Sequence, residues 1–280
     1  MRFSEVARYV DEGIQALERR ALRDAATAFE RAYRVAREAN LGADARVGTL
    51  RNLALARREA GDHRGAIAAY RLALRIAGDM VPHRAAVLHG LGICYLRLGL
   101  CARARPLLAE AYALRRQALS SPGPLADPTY TRTVCVRVAL DLSWALRALG
   151  LYDQAHQLME PIRQELSGID PSEAPYVHLE LARIALARGR PAEARRHLAR
   201  ARRLAGGGDP AVRAQAELVE AERMLHARRH LASLAACARA ADLAVRHRLW
   251  GELRDAHRLA ARALEGVGGR QAPAPLPPTG

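Results

Sequence analysis

The sequence predicts an all-α fold of about six helix pairs that stack in chain order and end in a single C-terminal helix. Three observations lead to this prediction. A pattern of small residues and leucines recurs at intervals of 38 to 51 residues. Glycines stand between the two halves of most copies. Half of the 280 residues are hydrophobic, which is enough for a continuous packed core.

The clearest copy shows how the pattern would pack. Two antiparallel helices approach closely only where side chains are small, so Gly92 and Ala104 predict close contacts, with larger residues filling the space around them. Gly99 predicts the turn between the two helices, because glycine adopts left-handed backbone at little cost. The copy reads Leu88-x2-Leu91-Gly92-x2-Tyr95-x3-Gly99-x4-Ala104-x3-Leu108-x2-Ala111.

The other copies place small residues at the position of Gly92. These residues are Gly13, Ala54, Ser143, Ala182 and Ala221. The pattern resembles the tetratricopeptide repeat (TPR) over roughly residues 3–265. The resemblance implies a right-handed α-solenoid with a concave inner face. The spacing exceeds the TPR norm of about 34 residues, and this longer repeat is similar to the TPR domains of bacterial regulators.

The repeat frame predicts the domain organisation. We expect one domain over 1–265, with repeats near 3–38, 43–77, 81–118, 128–167, 173–204 and 209–247. A capping helix over 250–265 would pack through Leu253, Ala256, Ala260 and Leu264. Residues 266–280 are rich in Pro and Gly and predict a disordered tail.

Helix starts and one insertion can also be located. Asp-Pro pairs at 127–128, 170–171 and 209–210 are typical of helix starts, with Asp as N-cap and Pro in the first turn. The interval of 51 residues between Gly92 and Ser143 predicts an inserted Pro-rich loop near 119–133. That loop could be a functional lip or merely slack.

Composition narrows the class of protein. All 44 basic residues are arginine, and with 29 acidic residues the net charge is +15. Arginine-rich usage of this kind also arises from a GC-rich genome, so composition alone leaves open whether the charge serves a partner. No apolar run reaches the roughly 18 residues of a membrane helix. Charges appear too early for a secretory signal, and four cysteines do not make a disulfide framework. We therefore expect a cytoplasmic protein.

Motifs for catalysis are missing from the sequence. No nucleophile elbow, phosphate-binding loop, dinucleotide fingerprint or HExxH motif occurs. His226 and His230 are four residues apart, but a turn is predicted between them, so we expect no metal site there. The sequence thus predicts a non-enzymatic protein without catalytic residues, cofactor or metal.

The TPR resemblance implies a binding groove lined by the first helix of each pair. Its arginines suit an acidic peptide or a C-terminal carboxylate, so we predict a protein or peptide partner. The groove residues it implies are Arg51, Asn52, Arg58, His89, Arg97, Arg137, Asp141, Trp144, Arg147, Tyr176, Glu180, Arg183 and Glu222.

Two alternative functions stay open. The long repeat also fits a peptide-responsive regulator of a bacterial signalling or transcription pathway. The arginine-rich stretch from Arg188 to Arg203 would fit a nucleic-acid-associated scaffold. The absence of a spare helix-turn-helix unit and of interleaved aromatic residues argues against nucleic acid and favours a solvated surface.

Overall fold

The computed structural model describes residues 2–120, 127–206 and 208–268. Regular structure in these residues is entirely helical, which confirms the all-α prediction. Two single-turn 3₁₀ segments, Leu166–Gly168 and Pro171–Glu173, lie between α8 and α9. The α-helices are α1 (Arg2–Glu18), α2 (Leu22–Glu38), α3 (Ala43–Glu59), α4 (His63–Ala77), α5 (Val81–Arg97), α6 (Cys101–Ser120), α7 (Pro128–Ala148), α8 (Tyr152–Gln164), α9 (Ala174–Ala187), α10 (Pro191–Ala205), α11 (Pro210–His226), α12 (His230–Arg246) and α13 (Trp250–Gly268).

The helices form two compact units. Unit 1 spans Met1–Gly150 and contains α1 to α7, and unit 2 spans Leu151–Gly280 and contains α8 to α13. Inside each unit every helix packs on the next one along the chain. The first helices of the pairs also contact each other, α3 with α5 and α5 with α7 in unit 1, and α9 with α11 in unit 2. Helix α13 packs on α11 in the same way. These helices therefore present a common surface in each unit, which we call the first-helix face.

The predicted small-residue contacts are confirmed. All six small residues of the first helices are buried: Gly13, Ala54, Gly92, Ser143, Ala182 and Ala221. Their counterparts on the second helices are buried too: Ala25, Ala66, Ala104, Ala155, Ala194 and Ser233. The approach is so close at Gly92 that a Cβ atom there would lie 2.6 Å from Leu108 Cδ2. A larger side chain would push the two helices apart.

The predicted glycine turns are present, and two further turns use arginine. Gly99 has φ +74°, in the left-handed region where glycine carries no steric penalty. In the first and last pairs, Arg20 and Arg228 occupy the equivalent turns with φ 57° and 55°. A search for glycine alone therefore misses these two turns.

Aspartate caps begin the helices at each Asp-Pro pair. The Asp127 carboxylate accepts from the backbone N–H of Thr129 at 2.8 Å, and Asp209 accepts from Ala211 at 2.8 Å. Asp170 accepts from Ser172 at 2.9 Å and starts the 3₁₀ turn that leads into α9. These bonds satisfy backbone donors that have no partner within the helix.

The insertion near 119–133 differs from its prediction. Residues 119–120 belong to α6 and residues 128–133 belong to α7, so most of the predicted loop is helical. Residues 121–126 lie outside the described part of the chain. Much of the long interval is therefore taken up by two long helices of 20 and 21 residues.

The stripe predicted for the terminal helix is correct in part: Ala256 is buried and Ala260 packs against the core, but Leu264 does not. Ala256, Leu259 and Ala263 are buried, whereas the side chain of Leu264 is 57% exposed. The helix also continues to Gly268, three residues past the expected limit, and residues 269–280 lie outside the described part. Among the described residues, no helix is both long and apolar enough to cross a bilayer.

Two glycine substitutions should change stability in opposite directions. Both sites are inside helices, where alanine is favoured over glycine by about 0.5–1 kcal/mol. At Gly48 nothing lies within 4 Å of an added Cβ, so Gly48→Ala should raise the free energy of unfolding by that amount. At Gly92 an added Cβ would clash with fully buried Leu108, so the effect should be destabilising. Gly92→Ala should lower the free energy of unfolding by roughly 1–3 kcal/mol. Urea denaturation measures both. A stabilised Gly92→Ala would show that the close contact does not constrain the helices.

Candidate functional site

The predicted groove residues of unit 1 lie on three neighbouring first helices. Arg51, Asn52 and Arg58 are half-buried on α3. Helix α5 supplies His89 and Arg97, and α7 supplies the remaining residues, Arg137, Asp141, Trp144 and Arg147. Because α5 contacts both α3 and α7, the three helices that carry these side chains are neighbours in unit 1.

Two pairs of these residues meet across α5 and α7. His89 Nε2 lies 2.7 Å from Asp141 Oδ2, within hydrogen-bond distance. The Arg97 guanidinium carbon lies 5.6 Å from the centre of the Trp144 ring, a distance at which the cation is attracted to the ring face. The Asp141 carboxylate is thus already engaged by His89, while Arg97 is exposed beside an aromatic surface.

On α3 the Arg58 guanidinium is bound by the adjacent residue. It donates to Glu59 Oε1 from Nε at 3.2 Å and from a terminal nitrogen at 2.9 Å. Nearby, burial raises the pKa of the Tyr70 phenol, so Tyr70 stays neutral at physiological pH. Arg58 therefore has a carboxylate partner, and Arg51 contributes positive charge to this part of the face.

Sequence reasoning missed Arg115, because it lies on the second helix α6. Its Nε is buried and has no hydrogen-bond partner among the described residues. Burial lowers the pKa of Arg115, and the positive charge of Arg51 lowers it further. Two arginines thus lie within electrostatic range of each other, and one of them has a buried N–H without an acceptor. Such groups are rare in folded proteins and need an explanation.

In unit 2 the predicted residues bind one another. Arg183 donates to Gln215 Oε1 at 3.1 Å, and its nitrogens lie 3.9 Å from Glu180 and 3.8 Å from Glu222. Gln215 in turn donates to Glu252 of α13 at 3.1 Å. Two carboxylates therefore flank one guanidinium, and Gln215 links it to a third.

Two of the predicted residues in unit 2 have their side chains engaged or buried. The Tyr176 hydroxyl donates to Asp209 Oδ2 at 3.0 Å, and burial together with Asp209 raises the pKa of Tyr176. Glu180 is only 5% exposed. Among the residues predicted for unit 2, the one cation, Arg183, is thus paired with acids, so these residues do not form the positive groove that was expected.

The described residues contain no group of three or more His, Cys, Asp or Glu side chains arranged to hold a metal. His226 ends α11 and His230 begins α12, so the two lie on either side of the turn, as predicted.

A buried histidine pair in unit 2 was not predicted. His178 Nδ1 on α9 lies 3.1 Å from His197 Nδ1 on α10, so one nitrogen must carry the proton and the other must accept it. Burial and the neighbouring His197 lower the pKa of His178 to about 4. Both rings are therefore neutral at physiological pH, and protonating them would break their hydrogen bond.

Comparison with known proteins identifies the fold. No protein-family model matches the chain, and no curated protein matches its sequence. Among solved structures, the apo form of RapI is similar over 96% of this chain and 100% of its own, with a TM-score of 0.67 and 11% identity. A putative kinesin light chain from Podosopora anserina with nearly identical TPR-like repeats covers 73% of this chain and 97% of its own, at TM-score 0.59 and 20% identity.

A third similar structure is a complex. A Rap protein complexed with Competence and Sporulation Factor covers 95% of this chain, which spans 76% of that protein, at TM-score 0.61 and 11% identity. At these identities the likeness shows the fold, and it confirms the predicted TPR-like arrangement. The regulator subtype stays a prediction.

The histidine pair predicts loss of stability in acid. The pKa of His178 is about 4 in the fold and about 6.5 in the unfolded chain, so the unfolded chain binds more protons between these values. The free energy of unfolding should therefore fall as pH drops from 6.5 to 4, by about 3 kcal/mol at most from this residue. Urea denaturation across this range should show a smaller fall for His178→Asn. The exposed His247→Gln is the matched control, and an equal fall in all three proteins would contradict the assignment.

Proposed function

We propose that this protein is a non-enzymatic scaffold that binds a protein or peptide partner through an acidic segment on the first-helix face of unit 1. The observation that carries the proposal is the excess of arginine over carboxylate on this face, to which Arg115 of α6, within electrostatic range of Arg51, adds a further cation. A carboxylate from a partner would accept charge-assisted hydrogen bonds from these arginines and offset the repulsion between the Arg51 and Arg115 guanidinium groups.

The balance of charge on this face supports an acidic ligand. Five of the predicted residues are arginines and one is an aspartate: Arg51, Arg58, Arg97, Arg137, Arg147 and Asp141. Asp141 is engaged by His89, and the nearby carboxylate of Glu59 is engaged by Arg58. The carboxylates on this face are therefore committed to neighbouring side chains, and an incoming acidic group meets an excess of arginine.

Neutral groups on the same face suit an extended peptide. Asn52 offers both a donor and an acceptor, which is what a peptide backbone presents in return. The Trp144 ring, half-buried beside Arg97, offers apolar surface of the kind that contributes most to binding energy. Since the helices hold these groups in place before binding, little ordering cost is added when a ligand arrives.

The structural comparisons support a binding role. The fold is shared with RapI over nearly the whole chain and with a Rap protein solved in complex with Competence and Sporulation Factor. TPR-like helix stacks carry long preformed surfaces, and a carboxylate-bearing segment is the partner chemistry that arginines in unit 1 complement.

Charge removal from this face should weaken binding of an acidic probe. The double variant Arg51→Gln/Arg97→Gln should bind a fluorescein-labelled decaglutamate with a free C-terminus about tenfold more weakly, because two charge-assisted bonds are lost. Arg103→Gln/Arg105→Gln removes the same charge from exposed positions of the second helix α6 and should change affinity less than about threefold. Fluorescence anisotropy measures both. Equal losses in the two variants would reject the assignment to this face.

Replacing Arg115 should raise the stability of the protein and weaken its binding to an acidic peptide. Removing a buried charge without an acceptor should raise the free energy of unfolding, by about 1 kcal/mol, so Arg115→Met is expected to be more stable than the natural protein. The same variant should bind decaglutamate more weakly, since one positive charge within electrostatic range of Arg51 is gone. Urea denaturation and anisotropy give the two readouts. A variant that is less stable and binds the peptide normally would mean that Arg115 has a purely structural role.

A further inference from the structure

Unit 2 has an arginine-rich surface of its own, formed by α10, α11 and α12. A cleft between α10, α11 and α12 has a floor of alanine, valine and leucine side chains and a charged lining. We call it the arginine cleft, and its charged residues are Arg202, Arg213, Arg239, Arg246, Glu217 and Asp242. Four cations against two anions leave the lining with an excess of positive charge.

One carboxylate holds two of these arginines in place. Glu217 is mostly buried and accepts from Arg202 of α10 at 3.1 Å and from Arg239 of α12 at 2.8 and 2.7 Å. A guanidinium has five N–H donors in a fixed plane, so each arginine keeps donors that are free to bind another acceptor. Glu217 thus positions two guanidinium groups, those of Arg202 on α10 and Arg239 on α12, on opposite sides of the cleft.

The remaining arginines extend the charge beyond the cleft. Arg195 and Arg202 are seven residues apart and share one side of α10, about 10 Å apart along its axis. Arg196 and Arg203 form a parallel row beside them. Arg195, Arg196, Arg203 and Arg213 are exposed and make no ion pair with any described residue. The acid next in reach, Glu220, is bound by Arg223 at 2.7 Å.

We propose that the arginine cleft and these rows bind the phosphate backbone of nucleic acid without reading its bases. The charge continues over two helical turns, which fits a polyanion better than a single small ion. The guanidinium groups of Arg202 and Arg239 line a cleft, which the projecting phosphates of a single or double strand can approach and a flat bilayer cannot. The lining contains no aromatic residue on which bases could stack, so contact is through phosphates alone.

The proposal does not depend on the features whose absence argued against nucleic acid in the sequence. That argument rested on the absence of a recognition helix and of interleaved aromatic residues. Backbone binding requires neither, because arginines that neutralise phosphates release counterions whatever the base sequence. The cleft is also separate in sequence and helices from the first-helix face of unit 1, so either proposal can fail without the other.

The first experiment uses the whole protein and a labelled 20-base-pair duplex of mixed sequence. Arg202→Gln/Arg213→Gln should weaken binding about tenfold at 150 mM salt and reduce the slope of log affinity against log salt by about 2. Arg103→Gln/Arg105→Gln, with the same loss of charge, should change affinity less than about threefold. Circular dichroism checks the fold, and exposed Arg213→Gln alone replaces the double variant if that variant unfolds. Equal losses in cleft and control variants, or no binding by the natural protein, would overturn the proposal.

The second experiment distinguishes a site in which Glu217 positions the arginines from attraction of nucleic acid by net positive charge alone. Glu217→Gln adds one positive charge to the protein, so unspecific attraction would make duplex binding tighter. If Glu217 positions the guanidinium groups of Arg202 and Arg239, duplex binding should instead become severalfold weaker despite the added charge. Tighter binding in this variant would overturn the site. Stronger binding of the natural protein to phosphatidylserine vesicles or to decaglutamate than to the duplex, with loss in the same cleft variants, would assign the cleft to those partners instead.

Discussion

The structure depends on a repeated close contact between paired helices at residues with almost no side chain. Gly13 against Phe29 and Gly92 against Leu108 are the tightest examples, and the same position is buried in all six copies. A small residue lets two helix backbones approach, and the large residues beside it then fill the space left on either side. Because this contact recurs, each first helix takes a similar orientation within its unit. Side chains at equivalent positions therefore collect on one face, and the contacts that fold the chain also place its candidate binding residues.

Much of the fold could be predicted because the physics that determines it is local and periodic. Small residues, turn glycines and Asp-Pro caps each act within a few residues, so they leave a readable pattern. The failures have physical reasons. A spacing of 51 residues counts chain length without saying whether the added residues are helical. The last helix has several apolar residues on adjacent stripes, and periodicity alone could not decide that Leu259, and not Leu264, would be buried.

The site was less predictable, because the state of a charged side chain is determined by partners far away in sequence. His89 and Asp141 are 52 residues apart, and nothing in the repeat pattern pairs them. Arg183 has the residue type of a groove cation, yet Glu180, Glu222 and Gln215 already surround it. Arg115 belongs to a second helix, so a frame that assigns binding residues to first helices passes over it. The sequence therefore predicted which residue types line the site, but it did not predict which charged side chains bind each other.

The positions of the carboxylates determine which of the excess arginines can bind an anionic partner. With 44 arginines and 29 acidic residues, pairing one to one must leave cations over, whatever the cause of the composition. An excess produced by composition alone would spread over all exposed faces. Here Arg183 is enclosed by acids, Arg115 has a buried donor without an acceptor, and Arg202 and Arg239 share one glutamate. The same residue type thus occurs in three electrostatic states, and the third leaves guanidinium donors available to an anionic partner. Such a partner gains most there, because the remaining N–H groups of Arg202 and Arg239 can donate to it while their bonds to Glu217 stay in place.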